Sequence, residues 1–174
     1  MQGSFRILVR RKPASRQRGV ALIGGRAVPV TLGRSGVRAD KREGDGATPR
    51  GIFHPVRIWW RADRGVRPRS ALPIRRIGPA SGWCEDPADR RYNRPVVLGR
   101  DDAGDRLWRD DRLYDLVVEL DHNARPRVAH RGSAVFIHLA RRDGGPTAGC
   151  VGFAPGELRR LLARLDRNTR IVIQ

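Results

Sequence analysis

Apolar and polar positions alternate along much of this chain, and alternation of period two predicts strands. Phe5-Arg6-Ile7-Leu8-Val9 is the first such run. Gly19 to Ile23 and Ala27 to Leu32 flank Gly24-Gly25, and paired glycines suit the primed turns whose twist matches a hairpin. Ile52 to Trp60 reads as a further strand after the turn-rich stretch Gly44-Asp45-Gly46-Ala47-Thr48-Pro49. Neighbours on a strand face opposite sides, so one of Trp59 and Trp60 is expected in the core and the other at the surface. Leu113 to Leu120 and Ala134 to Leu139 are nearly continuous apolar runs, as expected of strands deep in a sheet. Arg170 to Ile173 reads as a last strand, and Asp115 as a structural hydrogen-bonding group at a strand start.

The period changes once. Pro155 opens a helix where no amide donor is needed, and Leu158, Leu161, Leu162 and Leu165 follow at i, i+3, i+4 and i+7. The region from Arg61 to Arg94 carries Pro68, Pro73, Pro79 and Pro87 and little periodicity, which predicts an irregular lid or binding loop over about 61–95. These elements predict a single, mainly β domain spanning 1–174 with a short helix near its end. No apolar run approaches the ~20 residues a membrane helix needs. The opening MQGSFRILVRRKP has no secretory apolar stretch, so either the protein stays in the cytoplasm or an export segment has been removed.

Charge narrows the partners. Thirty-six basic residues against eighteen acidic give +18, and only Lys12 and Lys41 are lysines. Such a field draws polyanions, so a nucleic-acid-binding module is one candidate class. The arginines are nevertheless scattered, and no zinc-finger, basic-zipper or aromatic-basic RNA-binding pattern accompanies them. An anionic cell-wall polymer would be attracted equally well. Cys84 and Cys150 are too few for a disulfide framework, and neither they nor His54, His122, His130 and His138 show metal-ligand spacing, so no metal is expected.

Chemistry concentrates between His138 and Cys150. A histidine at the end of a buried strand is followed twelve residues later by a cysteine, across Gly144-Gly145-Pro146. A loop able to bring the cysteine back to the histidine would place a thiol within reach of a base, at the mouth of a groove. A free thiol with a pKa near ~8.5 is mostly protonated at neutral pH, and a neighbouring imidazole raises its thiolate fraction. Gly149 leaves room for the amides of Ala148, Gly149 and Cys150 to face a developing oxyanion. A lone Cys near a lone His is also a common structural pairing.

The order strand–His138, loop, Thr147-Ala148-Gly149-Cys150-Val151, leucine-rich helix and final strand resembles the L,D-transpeptidase catalytic domain (the YkuD-like family). Lys41 to Phe53 is similar to that family's "GD-x-x-TP-x-G-x-F" segment, and Leu113 to Val118 and Arg131 to His138 resemble its small bacterial members. The resemblance implies a β-sandwich or barrel-like fold and acyl transfer on peptidoglycan stem peptides at the cell wall or periplasm, without a cofactor. It implies Cys150 as nucleophile, His138 as base oriented by the Leu139 carbonyl, and Thr147 as a brace of the loop. A hydrolytic L,D-carboxypeptidase or endopeptidase would share the first half-reaction, and an inactive member would bind the wall alone.

The chain departs from the family where Arg or Asn commonly stands two residues after the cysteine; here it is Gly152. Arg131, Arg141 or Arg142 is therefore expected to take a substrate carboxylate. Trp83, Tyr92 and Asn93 form a set able to line a peptide groove or to anchor a long loop. Cys84 reads as a free or redox-modulating thiol, whose bond to Cys150 would block the nucleophile. His122 reads as a turn histidine.

Overall fold

The structure is a computed structural model and describes residues 5–174. Ten strands form one sheet: β1 (Arg6–Arg11), β2 (Arg18–Ile23), β3 (Arg26–Thr31), β6 (Gly51–Phe53), β7 (Pro55–Trp60), β8 (Ile74–Arg76), β12 (Leu116–Leu120), β13 (Phe136–Leu139), β14 (Val151–Phe153) and β15 (Arg170–Ile173). Two minor sheets join β4 (Val37–Arg38) to β5 (Thr48–Pro49), and β9 (Ser81–Trp83) to β10 (Pro95–Val97) and β11 (Asp105–Arg106). The helix α1 covers Pro155–Leu162. No helix of the described residues is long and apolar enough to cross a membrane.

Strand order in the large sheet is β6-β15-β1-β2-β3-β14-β13-β12-β7-β8. β6 is one edge and β7 lies beside the other, yet His54 alone separates them in the chain. The sheet must therefore curl until its two ends nearly meet, which makes a half-barrel and divides the expected strand 52–60 in two. Inside the curl lies the main core, built from Ile7, Val9, Val30, Ile58, Trp60, Val118, Ile137, Val151 and Phe153 and closed by Leu158, Leu161, Leu162 and Leu165. Leu165 lies past the helix end but completes its apolar stripe.

Residues of the opposite parity point out of the curl, and that face is covered as well. Trp59, Val117 and Phe136 pack there with Trp83, Leu107, Tyr114, Ala134 and Cys150. This second core corrects two expectations. Trp59 and Trp60 do face opposite sides, but both are buried, because each face has its own cover. The 61–95 stretch is not irregular throughout: it contributes β8 to the large sheet and β9 to the cover, since backbone groups laid against apolar surface must pair.

The hairpin forms as expected, with Gly24 and Gly25 at φ +55° and +82°, the positive values that a primed turn requires. Two strands are shorter than their apolar runs. β12 begins only at Leu116, because Asp115 bonds back to Arg112 and pairs with Arg64 at 3.1 Å. β13 begins at Phe136, because Ala134 has left-handed backbone at φ +50°.

Candidate active site

A single row of paired residues crosses the outer face of the sheet. Arg18 pairs with Thr31, Thr31 with Gly152, Gly152 with His138, His138 with Val117, and Val117 with Trp59. Their strand neighbours Val30, Val151, Phe153, Ile137 and Val118 all lie in the inner core, so this row faces outward. His138 therefore sits on a rigid central strand, flanked by a position with no side chain.

The imidazole is buried, and its Nδ1 lies 2.8 Å from the Leu139 carbonyl oxygen. A carbonyl only accepts, so Nδ1 carries the proton and Nε2 is left as a base. Burial is the main cause of a pKa lowered to about 4. The Leu139 carbonyl opposes that shift, Arg109 adds to it, and Asp111 opposes it. The ring is neutral at physiological pH. Tyr114 packs edge-on against it with centroids 5.2 Å apart, and Tyr114 also meets Phe136 edge-on.

Cys150 immediately precedes β14 on the same outer face. Its Sγ accepts from the Phe136 amide at 3.3 Å and donates to the Ala134 carbonyl at 3.2 Å. Burial pushes the thiol up to about 12, against the Phe136 amide, while Asp105 and Glu85 disfavour the thiolate and Lys41 favours it. Thiol and imidazole thus share one face with Tyr114 and Phe136 as common neighbours, but among the described residues no hydrogen bond joins them. The sulfur is also not at an open groove mouth. It lies under the cover that carries Trp83, Leu107 and Tyr114.

The loop ahead of Cys150 is stapled to the rest of the fold. Thr147 Oγ1 donates to the Cys150 carbonyl at 2.7 Å and accepts from the Gly149 amide at 3.1 Å, so that amide is not available to an oxyanion. Thr48 Oγ1 also reaches the Cys150 carbonyl and accepts from the Gly33 amide at 2.8 Å. Gly149 has φ +144°, and a Cβ there would lie 2.8 Å from the Ala47 carbonyl oxygen. Only glycine fits between the two loops. Ala148 is exposed at the surface of the turn.

Asp45 organises the opposing loop. Its carboxylate accepts from Lys41 Nζ at 2.6 Å and from the Ala47 and Arg42 amides, each at 2.8 Å. Burial raises this carboxyl, but Lys41 and the two amides together hold it below the ordinary range. The Asp-Gly turn signal marked the loop in the sequence. Its role beneath Gly149 depends on a contact between distant segments that no local pattern carries.

Trp83, Tyr92 and Asn93 are buried rather than exposed along a groove. Asn93 Oδ1 accepts from Trp83 Nε1 at 3.0 Å and from the Ala134 amide at 3.1 Å, and its Nδ2 donates to the carbonyls of His122 and Asn123. Asn93 so fixes Ala134, whose carbonyl holds the thiol. The Tyr92 hydroxyl bonds to Glu43. Trp83 and Asn93 thus back the segment beside Cys150, and Tyr92 is tied through Glu43 to the loop that carries Asp45.

The three candidate cations are dispersed. Arg131 is exposed and presents its backbone carbonyl to His122 Nε2 at 3.0 Å, which keeps His122 a turn histidine. Arg141 is exposed and paired with Asp143 at 3.1 Å. Arg142 lines a cavity of about 210 Å³ beside Leu139. Gly152 has no room for the family's cation, because a Cβ would lie 2.3 Å from Thr31 Oγ1. Both cysteines are free thiols, and burial raises the Cys84 thiol too.

The chain matches the L,D-transpeptidase catalytic domain (YkuD) over residues 5–173. It belongs to that family. No curated protein and no solved structure matches it. Members are enzymes whose family-level function is cysteine-dependent L,D-transpeptidation of peptidoglycan, and YkuD domains are typically extracytoplasmic and associated with the cell wall.

Proposed function

We propose that Cys150 and His138 carry out acyl transfer between peptidoglycan stem peptides at the wall. The observation that carries this assignment is the Nδ1 contact to the Leu139 carbonyl. It leaves a neutral imidazole with a bare Nε2 on the same face as the thiol. With the thiol and the base both neutral, the ground state is not a thiolate–imidazolium pair, and the proton moves as the sulfur attacks.

When the cover opens, the thiol leaves the Ala134 carbonyl and passes its proton to His138 Nε2 as Sγ bonds to the scissile carbonyl carbon. Collapse of the tetrahedral intermediate breaks the C–N bond, the departing amine takes that proton, and a thioester remains on Cys150. The amine of a second stem then attacks the thioester and loses a proton to His138. Sulfur leaves and recovers the proton, and an amide joins the two stems. Thr147 and Gly149 hold the loop, while Trp83, Tyr92 and Asn93 hold Ala134 and its surroundings. Ala148, exposed at the turn before Cys150, is the candidate of the loop that meets the incoming peptide.

The test is incubation with purified muropeptides and mass analysis of the products. Cross-linked dimers are expected from the wild type. Cys150→Ala should give none, and His138→Gln should slow formation by about 100-fold or more. Shortened monomers alone would assign hydrolysis, and dimers from Cys150→Ala would refute the assignment.

A further inference from the structure

The row that carries His138 continues past Gly152 to Thr31 and Arg18, where the outer face is not covered but hollow. A cavity of about 230 Å³ opens there, lined by Lys12, Arg18, Thr31, Ala140, Gly144 and Gly152 among others, with no carboxylate in its wall. We propose that this cavity is a carboxylate-binding subsite for the stem peptide, with Arg18 as its main cation; this rests on the acyl-transfer function proposed above.

The charge and placement of Arg18 and Lys12 suit an anion. Arg18 and Lys12 are exposed and both line the cavity, and among the described residues neither has an acidic partner. The guanidinium of Arg18 reaches the loop between His138 and Cys150: its Nη2 would lie 3.7 Å from a Cβ on Gly144. Thr31 lines the cavity too. Its side chain is more than nine-tenths buried, and Oγ1 has no hydrogen-bond partner. A buried hydroxyl without a partner is costly, and this one is closed off against Gly152, 2.3 Å from where a Cβ would stand. The Arg18 guanidinium and the Lys12 ammonium offer a carboxylate charge-assisted donors in one cavity.

The position suits the reaction. Arg18 and His138 are separated by three strand pairings, roughly 14 Å at about 4.8 Å each. Ala140 and Gly144 belong to the segment joining base to nucleophile, so an anion held here would brace that segment as well as the substrate. Arg131, Arg141 and Arg142 lie outside this cavity.

Binding separates this subsite from the catalytic assignment, because Cys150→Ser protein can be titrated without turnover. The probes are a stem tetrapeptide with free carboxylates and the same peptide with its carboxylates amidated. For the free peptide, Arg18→Ala should weaken binding about tenfold or more, and Lys12→Ala should weaken it less. Arg16→Ala, which removes the same charge from nearby exposed surface, should change it little. For the amidated peptide, Arg18→Ala should have no further effect. Equal losses for both peptides, a loss no larger than that of Arg16→Ala, or no binding of the free peptide would overturn the subsite. Absence of an acyl-enzyme in the wild type would refute the chemistry of Cys150 and leave this result standing.

Discussion

At the scale of single residues, the site sets a thiol and an imidazole on one face, and burial holds both in the neutral form. His138 has a folded pKa of about 4 against an ordinary value near ~6.5. Below pH 6.5 the unfolded chain takes up a proton that the folded chain refuses. The contribution of His138 is therefore complete above that pH and is lost as pH falls toward 4, by up to about 3 kcal/mol. Glu85 acts in the opposite direction, since burial, then Asp105 and Glu43, raise it to about 7. Urea unfolding of wild type and His138→Gln at pH 7 and pH 4.5 isolates the histidine: the variant should lose less stability on acidification. Equal losses would place the imidazole in a wetter setting than the structure shows. Gly149→Ala should cost about 1–3 kcal/mol, read from the same unfolding curves, because the φ of +144° and the Ala47 carbonyl leave a side chain no room.

At the scale of elements, the cover formed by β9, β10 and β11 with the Tyr114 turn buries Cys150. The buried thiol, raised to about 12, should react with iodoacetamide at pH 8 at least about 100-fold more slowly than a free cysteine. Asn93→Ala removes the clasp on Ala134 and should speed the reaction; an unchanged rate would mean that the cover opens elsewhere. Much of this scale was legible in advance. The Gly24-Gly25 hairpin, the leucine stripe of α1 and the two central apolar runs all follow from period and turn chemistry. The cover was not, because β9, β10 and β11 span only Ser81–Trp83, Pro95–Val97 and Asp105–Arg106, too short for alternation to show. Trp83, Tyr92 and Asn93 showed as a polar-aromatic cluster in the sequence, and only the fold reveals that their hydrogen bonds close inward.

At the scale of the whole molecule, the curl of the ten-stranded sheet brings the Asp45 loop, the His138 strand and the Cys150 loop to one place. A break at His54 made that closure possible, and nothing in the alternation of Ile52 to Trp60 marks it apart from Pro55. The charge of +18 was fully legible and bears on the partner rather than the fold. Binding of Cys150→Ser protein to purified sacculi should fall about tenfold between 50 and 500 mM salt, as screening shortens the reach of the arginines. Salt-independent binding would assign the contact to the apolar surface instead.

Acid-quenched wild-type protein, mixed with a stem tetrapeptide and mapped by peptide mass spectrometry, tests the central assignment most directly, since the chain offers only two thiols. A thioester of the tripeptidyl fragment on Cys150, absent from Cys150→Ala, is the expected result. The adduct on Cys84, or turnover that persists without Cys150, would contradict it.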